Sequence, residues 1–292
     1  MAITVAAAFN EFNTAITPGE AVWGKVYERR DAVVNTLKSA FPSTSDIRYQ
    51  SHKIIGSLGR KTASAPVADI DLLVHLSVDS DLWNRKYRSD SSEFLYRVRR
   101  SLNSASTVRK IGARGQAVRL FYADGLEVDV AAVEKYQGGS FAIPDGSGKW
   151  LTTNPNRHES YLDDRNRELA GDLKKIIRFA KQWNKAHSSY LASFHLEMMV
   201  ARTFSSLNND SRDALRVFFE HNKNYLSVQD PAGYSGDLSD YLTPLAAGAA
   251  RSALDAAYRR AVAAKQAEAD GNHREAIRLW RVILGNQFPV FG

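Results

Sequence analysis

The fold is set by the stretch from Ile54 to Leu76, which reads IIGSLGRKTASAPVADIDLLVHL. This stretch contains the end of one β-rich run, Ile47 to Ile55, and the whole of a second, Ile70 to Leu76. A turn rich in Gly, Ser and Lys, with one proline, separates the two runs, which is typical of two strands that begin a sheet.

The second of these strands carries a pair of aspartates. Side chains at positions i and i+2 of a strand point to the same face, so Asp69 and Asp71 present two carboxylates together. Ile70 and Leu72 then face the opposite way, into the core. The spacing predicts an acidic site at the start of a buried strand.

A third carboxylate follows later in the chain. Two further strand candidates, Gln116 to Tyr122 and Leu126 to Val133, are joined by a turn in which Asp124-Gly125 supplies the positive φ of a tight hairpin. We therefore expect antiparallel neighbours. Asp129 lies on the polar face of the second strand, where it joins the first two carboxylates across the sheet.

Three oxygen donors of this kind predict a magnesium site. Asp69, Asp71 and Asp129 would hold two Mg²⁺ ions, with Mn²⁺ as a substitute, and Asp129 would help to deprotonate an acceptor hydroxyl. Gly56 lets a triphosphate approach the backbone closely, and Ser57, twelve residues before Asp69, offers a hydroxyl and an N–H to its oxygens. The pattern predicts a phosphate seat beside the metals.

Helical periodicity dominates both ends of the chain. The first forty residues read as two helices broken at Pro18-Gly19, the longer one from about Glu20 to Phe41. After a loop from Gln137 to Pro155, we expect helices to the end. One apolar stripe comprises Leu169, Leu173, Ile176, Ile177, Ala180 and Trp183, and others run through 191–204, 214–225, 249–267 and 276–284.

The composition narrows the class of protein. The chain has 292 residues, enough for two lobes, and no cysteine, which excludes disulfides, thiolate metal sites and cysteine nucleophiles. No leader or membrane span is evident, so we expect a cytoplasmic protein. The net charge is +7, and ten Lys or Arg residues fall between Arg85 and Arg119. This basic stretch is either a solvated face or a contact for phosphates, such as those of a nucleic-acid activator.

Further motifs add to the Gly-Ser and aspartate pattern and extend it over nearly the whole length of the chain. They are Trp150-x-x-Thr153-Asn154-Pro155-x-x-His158, Ile176-Ile177-Arg178-x-x-Lys181-x-Trp183-Asn184, Ser193-Phe194-x-Leu196-Glu197, and Ala276-x-x-x-Trp280 followed by Gly285 and Phe288-Pro289. Together they resemble the CD-NTase family, bacterial relatives of cyclic GMP-AMP synthase within the polymerase-β superfamily.

The resemblance implies an α+β fold. A polymerase-β-like nucleotidyltransferase palm, a mixed sheet with helices spanning residues 1–150, would pack on an all-helical lobe spanning 151–292, with the active site in the cleft between them. In that family a lysine after the palm, here Lys181, and a serine that opens the next helix, here Ser193, grip the donor triphosphate. The following aromatic residue, here Phe194, would stack on the donor base.

The resemblance also implies a function, the joining of nucleoside triphosphates, ATP among them, into a cyclic di- or trinucleotide second messenger with release of pyrophosphate. We expect this signal to act in anti-phage defence through a separate effector, under a nucleic-acid or protein activator. Some operons of this family link a terminal glycine to other molecules, which leaves Gly292 open to such linkage. Two alternatives stay open: a transferase that adds nucleotides to RNA or another acceptor, and a catalytically silent nucleotide or RNA sensor.

Competing motifs lack the required spacing. Gly59-Arg60-Lys61-Thr62 is not a phosphate-binding P-loop, because Arg60 separates the glycine from the lysine. His158-Glu159 is not a zinc-protease motif, because Leu162 stands where a second histidine is needed. We interpret His195, on an apolar helix, as a hydrogen-bonded core or cleft residue.

Overall fold

The structure, a computed structural model, describes residues 2–103 and 108–292, apart from the side chains of Arg114 and Gln137. The chain divides into two compact units. The sheet unit comprises Gly19–Arg60 and Val67–Glu159. The helical unit comprises Met1–Pro18, Lys61–Pro66 and Ser160–Gly292. Among the described residues, no helix is both long enough and apolar enough to cross a bilayer.

In the described residues, the sheet unit is built on seven strands in mixed orientation. Their bounds are β1 Ile47–Ile54, β2 Asp69–Val78, β3 Val108–Arg114, β4 Ala117–Tyr122, β5 Glu127–Lys135, β6 Phe141–Pro144 and β7 Trp150–Thr153. The main order is β1-β2-β5-β4-β3, in which β2 and β5 are parallel and the other neighbours are antiparallel. β6 pairs with the end of β5 and with β7.

Helices complete each unit. The bounds are α1 Val5–Ile16, α2 Glu20–Ala40, α3 Gly56–Gly59, α4 Ser80–Leu82, α5 Ser91–Leu102, α6 Pro155–Glu168, α7 Leu173–Ala186, α8 Ser193–Thr203, α9 Ser211–Asn222, α10 Pro244–Ala269 and α11 His273–Leu284. A π-helical turn, Trp83–Tyr87, follows α4, and a 3-10 turn spans Gln137–Gly139. The mixed sheet and the helical C-terminal part confirm the predicted fold class.

Alternation along β2 and β5 fixes which face of the sheet is buried. Ile70, Leu72, Val128 and Val130 are fully buried, as the sequence pattern predicts. The hairpin between β4 and β5 is also as predicted, because Gly125 adopts a φ of +81° and the two strands are antiparallel.

The expected loop from Gln137 to Pro155 is wrong in part, because it contains β6 and β7. Asp145 makes the hairpin between them, since its Oδ1 accepts hydrogen bonds from the backbone N–H groups of Ser147 at 2.7 Å and Lys149 at 2.9 Å. An aspartate that satisfies its own turn is a strong hairpin former even where the strands are short. The strand β3 was also not predicted, because its sequence, VRKIGAR, is too polar to alternate clearly.

Aromatic packing places α1 in the helical unit. The Phe9 ring lies 5.1 Å from Trp280 and 5.6 Å from Phe179, and the Phe12 ring lies 5.1 Å from Phe288. Buried aromatic groups of this size contribute strongly to a core. The expected division placed α1 with the sheet, in residues 1–150. In the structure α1 belongs to the helical unit, because its apolar face packs against α7 and α11.

One half-buried carboxylate of the sheet unit carries a desolvation cost. Glu134, near the end of β5, accepts a hydrogen bond from the backbone N–H of Val78 at 3.0 Å. Burial raises the pKa of Glu134 to about 7 from an ordinary value of 4.5, although bonds from two backbone N–H groups oppose the shift. Because the folded pKa lies above the unfolded one, ionisation of this group lowers stability as the pH rises from about 4.5 to 7.

The variant Glu134→Gln keeps the acceptor for Val78 and removes the charge. We expect it to be more stable than the wild type at pH 8, by about 1–2 kcal/mol after solvent screening is discounted, and equally stable at pH 4. Urea unfolding at the two pH values measures the difference. Equal stabilities at pH 8 would contradict the assigned burial penalty.

Candidate active site

The carboxylates predicted from sequence lie at one end of the sheet, where β2 and β5 begin. Asp71 is the register partner of Asp129, and Asp69 is the partner of Glu127. Partners on neighbouring strands place their side chains on the same face. The parallel pairing therefore brings Asp69, Asp71 and Asp129 to one polar face, opposite the buried apolar side chains of the same strands.

Gly56 lies directly against the Asp71 carboxylate. Its φ is +63°, and a β-carbon at this position would lie 1.7 Å from Asp71 Oδ2. The neighbouring backbone is tied to the same strand, since Ile55 N–H donates to the carbonyl of Asp71 at 2.8 Å. Only glycine fits both the conformation and the space. Ser57 follows it in the single turn of α3, half-buried.

An arginine that the sequence reading did not assign to the site holds the third carboxylate. Arg119 donates from Nε to Asp129 Oδ1 and from Nη2 to Asp129 Oδ2, both at 2.7 Å. Its Nη1 lies 3.3 Å from Glu127 Oε2. The hydrogen bond to Asp129, more than the nearby carboxylate charges, raises the pKa of the guanidinium. This fork-to-fork pair fixes the Asp129 side chain.

The donor set suits a hard divalent cation, but the described arrangement is not a closed metal cluster. Within residues 2–103 and 108–292, no group of three or more His, Cys, Asp or Glu side chains is gathered closely enough to hold a metal ion. Both Asp129 oxygens are bonded to Arg119 instead. Carboxylate oxygens are the ligands that Mg²⁺ prefers, so the chemistry of Asp69, Asp71 and Asp129 suits such an ion.

In the helical unit, Lys181 forms a buried ion pair. Its Nζ lies 3.0 Å from Oε1 of Glu197 and donates to the carbonyl of Thr62 at 3.2 Å. The side chain of Glu197 is fully buried and that of Lys181 is 12% exposed. An ammonium carries three donors, so these two bonds orient the lysine and leave it one further N–H.

Ser193 and Phe194 open α8, as the resemblance implied. Ser193 is exposed and Phe194 is half-buried, with its ring packed against the core of the helical unit. The backbone N–H of Ala192, just before the helix, donates to the hydroxyl of Tyr241 at 2.7 Å. This bond anchors the segment from which both side chains project.

His195 continues the same hydrogen-bond chain. Its Nδ1 lies 3.1 Å from the Tyr241 hydroxyl and its Nε2 lies 2.6 Å from the carbonyl of Leu226. Burial lowers the pKa of His195, although the bond to the Leu226 carbonyl acts in the opposite direction. A neutral ring that donates from Nε2 and accepts at Nδ1 satisfies both contacts. The prediction of a hydrogen-bonded core histidine is confirmed.

The loop that carries Tyr241 is held by Asp237. The backbone N–H of Ser239 donates to its Oδ1 at 2.8 Å, and that of Val228 does so at 3.2 Å. The Ser227 hydroxyl donates to the other oxygen. These bonds overcome the effect of burial and lower the pKa of Asp237 to about 2. The loop is therefore a rigid support for Tyr241.

The sequence reading missed three residues of these constellations. Arg119 could have been found, because counting back from the Asp124-Gly125 turn places it opposite Asp129. Glu197 ends the motif that begins at Ser193, and its pairing with Lys181 joins two separate helices, which no local pattern indicates. Tyr241 lies in a loop with no periodicity, so no local pattern indicates its contact with Ala192.

The fold and its acidic edge define a nucleotidyltransferase. The chain belongs to the family described as the Second Messenger Oligonucleotide or Dinucleotide Synthetase domain, whose model matches residues 3–166. Membership confirms the resemblance to CD-NTases and the predicted class of activity, a nucleotidyltransferase that synthesises cyclic oligonucleotides. Nucleotidyltransferases of this family generally use divalent metals.

Relatives and solved structures agree with this assignment. The chain is 27% identical to a probable cyclic nucleotide synthase of Bacillus cereus (strain VD146), covering 89% of this chain and 90% of that protein. It is 24% identical to a cyclic AMP-AMP-AMP synthase of Acinetobacter sp. (strain ATCC 27244 / 9458), covering 87% and 78%.

The fold is also that of E. coli MS115-1 CdnC. The structure of that protein with ATP has a TM-score of 0.77 at 18% identity and covers 97% of this chain and 98% of that one. Its complex with HORMA-deltaN has a TM-score of 0.76 at 19% identity and covers 97% of each chain.

The Gly56 contact predicts a steric coupling. Gly56→Ala should destabilise the protein by well over the roughly 1 kcal/mol of an alanine at positive φ, because the new methyl group displaces the Asp71 carboxylate. Gly115→Ala is the matched control, since Gly115 has a φ of +64° and no atom within 4 Å of its added β-carbon. Thermal unfolding measures both.

A second substitution isolates the collision. In an Asp71→Ala background, Gly56→Ala should cost much less than in the wild type, since the carboxylate is gone and only the β-carbon of residue 71 remains, 2.9 Å from the added methyl group. If Gly56→Ala destabilises the Asp71→Ala variant as much as it destabilises the wild type, the Asp71 carboxylate is not the group with which the new methyl collides.

Proposed function

We propose that this chain joins nucleoside triphosphates into a cyclic di- or trinucleotide in a metal-dependent reaction, with Asp69, Asp71 and Asp129 as the metal ligands. The observation that carries the proposal is the pairing of Asp71 with Asp129 across two parallel strands, with Gly56 packed against the first carboxylate. Such an edge supplies carboxylate oxygens from two neighbouring strands on one face of the sheet. Mg²⁺ is the expected ion, with Mn²⁺ as a substitute.

The chemistry at this edge is a transfer between two nucleotides. A ribose hydroxyl oxygen of the acceptor bonds to the α-phosphorus of the donor, and the bond from that phosphorus to the bridging oxygen breaks. Pyrophosphate leaves, and Asp129 takes up the hydroxyl proton. Divalent cations, when bound, neutralise the triphosphate and lower the pKa of the acceptor hydroxyl. Gly56 and Ser57 seat the phosphates through backbone and hydroxyl groups.

We assign the donor nucleotide to three residues of the helical unit. Lys181 and Ser193 bind the triphosphate, and Phe194 stacks on the base. The ion pair with Glu197 supports this role, because it leaves the lysine oriented with one N–H for a phosphate oxygen. An exposed hydroxyl beside a half-buried aromatic ring, both at the start of α8, suits a nucleotide with its base on the ring.

The relatives favour particular substrates and partners. ATP is the nucleotide in the CdnC structure and the one implied by the name of the Acinetobacter synthase, so we propose ATP as a substrate. The CdnC complex with HORMA-deltaN supports a protein activator. The basic stretch from Arg85 to Arg119 favours a nucleic-acid activator. We place the product in anti-phage signalling through a separate effector, and the enzyme in the cytoplasm, where nucleoside triphosphates are available.

The direct test is incubation of the protein with four labelled nucleoside triphosphates and Mg²⁺ or Mn²⁺, followed by phosphatase and mass spectrometry. A phosphatase-resistant product made by the wild type, and not by Asp69→Ala/Asp71→Ala, is the expected result. Extension of an added RNA without any free product would favour the alternative transferase. Silence with every nucleotide, metal and candidate activator would favour the sensor.

Replacing a single carboxylate should separate catalysis from folding. Asp71→Asn keeps the shape of the side chain and removes its charge, so we expect turnover to fall at least 100-fold with an unchanged melting temperature. Asp81→Asn, an exposed carboxylate of the same unit, is the matched control and should keep full activity. Substantial activity in Asp71→Asn would contradict the ligand assignment.

The Lys181 pair allows binding to be separated from stability. Lys181→Ala leaves the Glu197 carboxylate buried without its cation, so it should cost about 3–5 kcal/mol of stability and also weaken binding of α,β-methylene-ATP. Adding Glu197→Gln should recover part of the stability and none of the affinity. Lys185→Ala, an exposed lysine of the same helix, should change neither. Calorimetric titration measures the affinity, and wild-type affinity in the double variant would refute a phosphate contact.

A further inference from the structure

A cavity of about 460 Å³ lies in the sheet unit, built from residues that the proposed reaction does not use. Its lining comprises Trp83, Arg88, Ser89, Tyr136, Lys149 and Trp150. This volume falls within the range of small-ligand sites in proteins. Aromatic rings and cations share the lining, so the cavity offers stacking surface and positive charge together.

Contacts with the core fix the two tryptophan rings that line the cavity. The rings of Trp83 and Trp150 lie 4.9 Å apart at 45°, and Phe94 packs 5.5 Å from Trp150 on the side of the core. Trp150 donates from Nε1 to the carbonyl of Tyr87 at 2.8 Å. Both tryptophans stay half-buried rather than fully buried. They therefore form a fixed surface against which a planar ring can stack.

Hydrogen bonds hold the backbone of both cationic residues of the lining, Arg88 and Lys149. Lys149 lies in the β6–β7 hairpin, where its carbonyl accepts from the buried Ser91 hydroxyl at 2.5 Å. Arg88 closes the π-helical turn, since its N–H donates to the carbonyl of Trp83 at 2.9 Å. Such turns are rare and recur at functional sites. In the part of the chain that the structure describes, neither cation has a carboxylate oxygen within 4 Å.

The acidic groups nearby are occupied elsewhere. Asp90 Oδ1 accepts from the backbone N–H of Ser92 at 2.9 Å at the start of α5. Glu93 pairs with Lys86 at 3.5 Å. Asp145 is committed to the backbone of its own hairpin. None of these three carboxylates forms an ion pair with Arg88 or Lys149 among the described residues, so both cations can contact an anion.

We propose that this cavity is a second nucleotide site, separate from the acidic edge, that binds one nucleoside phosphate without a metal. The base stacks on the tryptophan pair, and the phosphate contacts Arg88 and Lys149. Base stacking on an aromatic side chain and charge-assisted hydrogen bonds to phosphate both stabilise such a complex. A cavity of this volume fits one nucleotide, so we take a mononucleotide as its ligand.

Photolabelling of the full chain with 8-azido-AMP in EDTA, followed by peptide mapping, tests the site. We expect label on peptides that contain 83–89 or 149–150. Arg88→Glu and Lys149→Ala should each reduce labelling there roughly tenfold. Arg85→Glu is the matched control, an exposed arginine of the same turn that does not line the cavity, and it should label normally. Thermal unfolding verifies that every variant is folded.

The proposal would be overturned by label confined to other peptides, or by labelling of 83–89 and 149–150 that Arg88→Glu and Lys149→Ala leave unchanged. Competition completes the test. Unlabelled AMP should displace the probe, whereas displacement by a single-stranded oligonucleotide and not by AMP would also overturn a mononucleotide site. Because the assay contains no metal, its failure would leave the proposed synthesis reaction untouched.

Discussion

The contact between the Asp71 carboxylate and the backbone of Gly56 is the constraint on which the acidic site depends. It joins the turn after β1 to the start of β2, and the parallel register of β2 with β5 then sets the position of Asp129. A side chain at residue 56 is excluded by a distance of 1.7 Å. Gly56 was expected to let a phosphate approach the backbone, and in the structure it also lets the Asp71 carboxylate do so. The short turn at Gly56 and Ser57 therefore belongs both to the proposed phosphate site and to the carboxylate site.

Each unit contains one ion pair that involves a proposed site residue, Arg119–Asp129 in the sheet unit and Lys181–Glu197 in the helical unit. The two pairs differ in how deeply they are buried. Arg119 is 47% exposed and Asp129 17% exposed, so water reaches the guanidinium and Asp129 can exchange it for another cation. The Lys181–Glu197 pair is almost completely buried, and breaking it costs about 3–5 kcal/mol. We infer that the first pair is exchangeable, whereas the second is a fixed support.

The sequence predicted those strands, turns and helices that depend on the pattern of neighbouring residues. Period-two alternation located β2 and β5, the Asp-Gly turn located their hairpin neighbour, and 3.6-residue periodicity located the helices of the second unit. Packing between distant segments was not predictable in this way. The placement of α1 depends on rings of Phe179, Trp280 and Phe288 far along the chain, and the contact of Tyr241 with Ala192 depends on a loop shaped by Asp237. Short strands such as β6 and β7 depend on one turn, so no periodicity reveals them.

The central claim is that Asp69, Asp71 and Asp129 hold divalent cations beside a nucleotide. Electron paramagnetic resonance of Mn²⁺, titrated into the protein with saturating α,β-methylene-ATP, measures this most directly because it counts bound ions without requiring turnover. The account predicts two protein-dependent Mn²⁺ ions per chain and the loss of both in Asp69→Asn/Asp71→Asn. The same number of bound ions in that variant would contradict it.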